Sequence, residues 1–219
     1  AAEACGGLFC NNSQPVNQAA ERILFAPDPA GGGLMQMHVQ LNYQGPPTDF
    51  SWMLPVPPGT EFALSSDSIF AQLDTNFAPI FRLNTIFEEG CDADFGPRST
   101  SDFASQEGSG GGVQVLSREA VGPYDSVTLR AESIDTLTTW LTDEGYQVPD
   151  NAEEVLSPYI DSHEFLAIKL LPGEDSGDIQ SVALTFESAS PSIPLRPTAV
   201  AAQPDMGIIV HLLGEARGI

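Results

Sequence analysis

Positive charge is what this chain has least of. Lys169 is its only lysine, and lysine and arginine together number 8 against 30 aspartates and glutamates, a net charge of −22 over 219 residues. Such a surface repels nucleic-acid phosphates and anionic lipid headgroups, so neither is expected as a partner. It suits metal cations, cationic partners, or plain solubility in a salty medium, and the last is the simplest reading. Long apolar runs are missing too. None approaches the roughly 18 residues of a spanning helix, so no segment is expected to cross a membrane directly. No Gly-x-Ser-x-Gly elbow, Walker A loop or Gly-x-Gly-x-x-Gly occurs. That removes the usual frames of a serine hydrolase, a P-loop nucleotide site and a dinucleotide fold.

What remains is enough to fold. Apolar residues make up 42% of the chain, which favours a globule over disorder. A chain of this length buries roughly 70–75% of its unfolded surface without needing staples. With 20 glycines and 18 prolines, many short elements and turns are expected. The stretch "AAEAC" reads as the scar of signal cleavage at a small-residue site, so export to the periplasm or the extracellular space is expected.

Periodicity supplies the elements. Residues 15–29 form a short amphipathic run ending in a turn. Met35, Met37, Val39, Leu41 and Tyr43 alternate with Gln36, His38, Gln40 and Asn42, which predicts a half-buried strand over 34–45. Residues 49–59 read as its partner, with Pro55, Pro57 and Pro58 confining its end to an edge or rim. A helix is predicted over 65–79, where Ile69, Phe70, Leu73 and Phe77 recur at helical spacing, and a strand over 80–87. Residues 88–112 are polar, acidic and glycine-rich. They read as a long loop in one domain, 1–219, or as the joint between two lobes, 1–87 and 113–219.

Beyond that stretch, strands are predicted over 113–122 and 124–132. A helix follows, capped by Ser133 or Asp135 and stopped by Gly145. A second helix over 150–163 and strands over 164–173 and 178–188 come next, before two closing segments. Without a βαβ rhythm the expected fold class is α+β, a mainly antiparallel sheet with two or three helices packed on it.

Few residues offer chemistry. The cysteines are Cys5, Cys10 and Cys91. Their spacing suits neither zinc, haem nor a Cys-x-x-Cys redox site, and in an exported protein the default is a disulfide. Three pairings are open. Chain entropy gives about 2 kcal/mol for Cys5–Cys10 and about 4.5 kcal/mol for Cys10–Cys91, while proximity and two intervening glycines favour the former. The histidines are His38, His163 and His211. On a strand, Met35 and Met37 face away from His38, so a shared copper site is not expected, and His211 reads as a sheet residue. His163 lies between Asp161 and Glu164 where helix meets strand, a candidate acid–base or metal site. Calcium is a candidate cofactor at Asp92 and Asp94, or at Glu174, Asp175 and Asp178, although the first pair fails the EF-hand pattern. Solvated acidic turns are the simpler reading of both.

Six ordered stretches, "CGGLFC", "PVNQAAERILF", "NYQGPPTDFSWMLPVP", "VGPYDSVTL", "WLTDEGYQVP" and "IPLRPTAVAAQPDMGIIVHLLGEAR", together resemble the bacterial secreted family called domain of unknown function 2330. The likeness covers nearly the whole chain. It implies export from a bacterial cytoplasm and supplies no catalytic residues, since the family has no established activity. Members usually continue past the block ending in "GEAR", so it also implies a processed or trimmed form.

The expected function is a non-catalytic interaction or accessory subunit of the cell envelope or surface, meeting a protein partner. Trp52, Met53, Pro55 and Pro57 of "WMLPVPP" are candidate docking residues, with core burial the competing reading for Trp52 and Met53. The alternatives are a hydrolase or metal-dependent enzyme centred on His163, and a calcium-stabilised binding module.

Overall fold

The computed structural model describes residues 20–28, 32–41, 50–77, 112–174, 179–188, 190–197 and 207–214. The strand expected over 80–87, and all but the last residue of 88–112, lie outside them.

Strands β1 (Ala20–Pro27) and β2 (Leu34–Gln40) are antiparallel, with Ile23 opposite Val39 and Phe25 opposite Met37. The alternation holds through β2. Met35, Met37 and Val39 are buried on one face, while Gln36 is exposed and His38 half-buried on the other.

Strand β3 (Ser51–Val56) departs from expectation. It pairs not with β2 but with β7 (Glu164–Leu170), antiparallel, in a different sheet. All six of its residues are buried, with Trp52, Leu54 and Val56 in one core and Met53 in another. A strand apolar on both faces needs a layer on each side, and β2, with its polar outer face, belongs to a different setting.

The remaining strands are β4 (Glu61–Leu64), β5 (Val113–Val121), β6 (Tyr124–Ala131), β8 (Val182–Glu187) and β9 (Gly207–Leu212). They complete a five-stranded sheet in the order β4-β8-β2-β1-β9 and a four-stranded sheet in the order β3-β7-β6-β5. Every pairing is antiparallel except β1 with β9. The fold is α+β and dominated by sheet. Each sheet draws strands from both sides of residues 88–112, so a division there would cut both.

The two sheets meet across the main core. Phe25, Met37 and Leu184 come from one side, and Trp52, Tyr124 and Ile168 from the other. Burying each such side chain contributes about 1.5–3 kcal/mol. The Tyr124 hydroxyl donates to Gln180 O (2.6 Å) and accepts from Gln180 N (2.8 Å), tying the four-stranded sheet to the approach to β8.

Helices cover the outer faces. Leu137 and Leu141 of α2 (Ile134–Asp143) and Leu156 of α3 (Ala152–Leu156) pack on Val127, Leu129 and Phe165. Phe70 and Leu73 of α1 (Asp67–Phe77) cover Leu24. The layers therefore run helix, sheet, sheet, helices.

Helix α2 begins and ends at the expected residues. Ser133 caps it in a reciprocal box with Thr136, and Gly145 leaves it at φ 77°. Its last turn has no basic residue of its own, and Lys169 supplies one from β7. Nζ donates to Glu144 O (2.6 Å) and lies 3.9 Å from the centre of the Tyr146 ring. The helix expected over 150–163 is shorter. It runs as α3 to Leu156 and tightens into a 3-10 turn at Ser157–Tyr159, because Pro158 has no N–H to continue the ladder.

Candidate functional site

The chain leaves the 3-10 turn at His163 and enters β7 at Glu164. His163 N donates to Tyr159 O (2.9 Å), its Nδ1 is 2.8 Å from Ser162 Oγ, and the Tyr159 ring meets the imidazole edge-on at 5.2 Å. Burial pulls the His163 pKa below its usual 6.5, which favours the neutral ring.

Glu164 is engaged elsewhere. One carboxylate oxygen accepts from Arg130 Nη2 (2.6 Å) and the other from Gly59 N (3.1 Å), with the side chain 7% exposed. Asp161 is exposed. Among the described residues neither carboxylate bonds His163, so the constellation read from "DSHE" is not assembled as an acid–base pair.

Glu164 instead secures the link between the sheets. After β3 the chain turns through Pro57, Pro58, Gly59 and Thr60 into β4. Thr60 N (3.3 Å) and Thr60 Oγ1 (2.6 Å) both donate to Pro57 O. Gly59 has φ 77°, which with Pro58 before it is the signature of a type II turn.

A cleft lies on each side of this turn, and Phe186 borders both. One, of about 360 Å³, is lined by Leu34, Pro58, Gly59, Glu61, Thr185 and Glu187. The other, of about 290 Å³, is lined by Pro57, Tyr159, His163, Ser188, Ser192, Ile193, Pro194 and Leu195. Among the described residues the first holds two carboxylates and no basic group. The second, among the described residues, holds no carboxylate, and its side-chain polar groups are hydroxyls and one imidazole.

The other expected site residues scatter. Trp52, Met53 and Pro55 are buried in β3, so the core reading is the one the structure shows for Trp52 and Met53, and of the four only Pro57 reaches a cleft. Cys5, Cys10, Cys91, Asp92, Asp94, Asp175 and Asp178 lie outside the described residues. Glu174 closes a turn through its N–H to Leu171 O (3.2 Å). Among the described residues no three His, Cys, Asp or Glu side chains group as a metal site. His38 Nδ1 is 2.7 Å from Ser65 Oγ beneath the start of α1, with its pKa also lowered by burial.

Sequence reasoning missed one surface. Ile208, Ile209, Val210 and Leu212 of β9, and Leu213 beyond it, are all exposed, from 40% at Ile208 to 63% at Leu212. Apolar residues are thus bare on both faces of a strand that, among the described residues, stands at the edge of its sheet. The other edges carry the usual protections against chance pairing. Strand β5 has Arg118, Glu119 and a bulge between Val115 and Ser117, β3 is buried and holds Pro55, and β4 has only four residues and carries Glu61. Strand β9 has no charge and no proline. The available signal was the uncharged run "GIIVHLLG", but such a run reads equally well as an interior strand.

Compared with known proteins, the chain matches over residues 1–218 the model of a family described as an uncharacterized protein conserved in bacteria (DUF2330). No curated protein and no solved structure matches it.

Proposed function

The chain belongs to the uncharacterised bacterial family DUF2330, and we propose that it is an exported, non-catalytic protein of the cell envelope or surface that docks a protein partner along β9. The observation that carries this reading is β9 itself, which among the described residues is an open edge with exposed apolar side chains on both faces. An added strand would satisfy its outward backbone groups while covering those side chains. The enzymatic alternative is weakened because Glu164 is held by Arg130 and Gly59 rather than by His163.

The test places a photo-crosslinking residue at position 212 in the native bacterium. The expected result is a discrete adduct with an envelope or surface protein, lost when Ile209→Lys is added. Absence of any protein adduct from positions 209 and 212, with the protein folded and exported, would overturn the proposal.

A further inference from the structure

The turn between β3 and β4 carries a reading independent of β9, and either can fail alone. The turn is ordered before any ligand arrives. Two prolines restrict its backbone, Thr60 closes on Pro57 O, and Glu164 fastens Gly59 N. A preorganised surface loses little freedom on binding.

We infer that the two clefts flanking Pro57–Thr60 form one site for an extended peptide segment of a partner protein, carrying a basic side chain beside an apolar one. The basic side chain lies with Glu61 and Glu187, and the apolar one against Ile193, Pro194 and Leu195.

Charge selects this occupant. Glu61 stands opposite Thr185 across the β4–β8 pair, and Glu187 is two residues along the same strand. The glutamates are therefore diagonal neighbours on one sheet face, about 7–8 Å apart, a spacing that one guanidinium or ammonium group can bridge. Among the described residues no lysine or arginine lines either cleft. An acidic or phosphorylated segment would meet these two carboxylates and the −22 net charge behind them.

Size and polarity select a peptide over a bare ion. Among the described residues the second cleft has no anionic group to hold a cation, and its proline, isoleucine, leucine and tyrosine side chains suit an apolar one. Each cleft, at about 360 and 290 Å³, lies near the small end of ligand sites. A chain with one side chain in each fills both.

The test titrates isotope-labelled protein, followed by amide resonances, with four probes. These are an N-acetylated peptide amide of sequence FRLR, its counterpart FELE, arginine amide alone, and Ca²⁺. The FRLR peptide is expected to shift Gly59, Glu61 and Glu187 together with His163 and Leu195, and FELE to shift none of them. Glu61→Gln with Glu187→Gln should weaken FRLR binding by roughly three- to tenfold. Glu119→Gln with Glu154→Gln, the same charge change elsewhere, should leave it unchanged. Leu195→Asp should weaken it as well. All five positions are exposed, so the fold is retained.

The inference is overturned if FRLR shifts neither cleft or only one. It is equally overturned if FELE binds as well, if the remote pair weakens binding as much, or if arginine amide or Ca²⁺ reproduces the whole pattern.

Discussion

Glu164→Gln tests whether this carboxylate is structural or available for chemistry. In the fold it accepts from Arg130 at 2.6 Å and from Gly59 N at 3.1 Å, with its side chain 7% exposed. The amide keeps the size but has only one accepting oxygen, and its NH2 faces one of the two donors. One charge-assisted bond is lost and the other weakened, a cost of about 2–3 kcal/mol. Arg130 is half exposed, so in Arg130→Met water can replace part of what the carboxylate loses, and the cost falls to about 1 kcal/mol. The double variant should cost little more than Glu164→Gln alone, because the arginine then has no carboxylate to hold. That leaves a coupling of about 1 kcal/mol. Urea denaturation measures all three free energies. In thermal melts, Glu164→Gln should lower Tm by about 4–12 °C, since 1 kcal/mol corresponds to about 2–4 °C at this chain length. A Glu164→Gln variant within about 0.5 kcal/mol of wild type, or single effects that add to within about 0.5 kcal/mol, would refute the structural assignment.

Gly122→Ala should destabilise by about 2–4 kcal/mol in urea, combining left-handed strain with overpacking. Gly122 has φ 58°, and an added Cβ would sit 2.4 Å from Leu64 Cδ1. Adding Leu64→Ala should recover the overpacking part, and a purely additive pair would show that no clash exists. Lys169→Met should cost about 1–2 kcal/mol through loss of the helix-end cation and of its contact with the Tyr146 ring, with faster hydrogen exchange in the last turn of α2. Unchanged exchange there would count against the capping role. The His38 pKa is lowered on folding because burial disfavours the imidazolium. The unfolded chain therefore takes up the proton first, and the histidine's contribution is present above about pH 6.5 and lost as pH falls towards the folded value. Stability measured between pH 7.5 and 5 should decline less steeply in His38→Gln than in wild type, and parallel curves would refute the assignment.

Local pattern made much of this fold legible. The polar and apolar faces of β2, the Ser133 cap and the Gly145 stop depend on neighbours within a few residues, and each lies where periodicity puts it. The partner of β3 was not legible, because pairing depends on which layers form and not on which strand is nearest along the chain. Its clue was "SWML", with apolar residues at successive positions, the mark of burial on both faces. The break in the second helix was written in Pro158 and overridden by the acidic first turn. The supposed His163–Glu164 site shows a limit of proximity in sequence. Successive side chains at the start of a strand leave on opposite faces, so Glu164 reaches Arg130 and Gly59 while His163 lines a cleft. Gly59, 105 residues away in the chain, is a partner that no motif spacing announces.

The acidic composition and the bare edge of β9 bear on each other. An uncharged strand with apolar side chains on both faces is a template for pairing with copies of itself. Acidic residues exceed basic ones by 22, so two copies repel as they approach. At physiological ionic strength that repulsion is screened beyond about 8 Å, so it acts mainly at close approach, where two edges would have to align. A partner of lower or opposite charge does not meet that barrier. The composition that first read as simple solubility therefore has a second consequence. Net charge disfavours pairing of two like copies along β9 relative to pairing with a chain of lower or opposite charge.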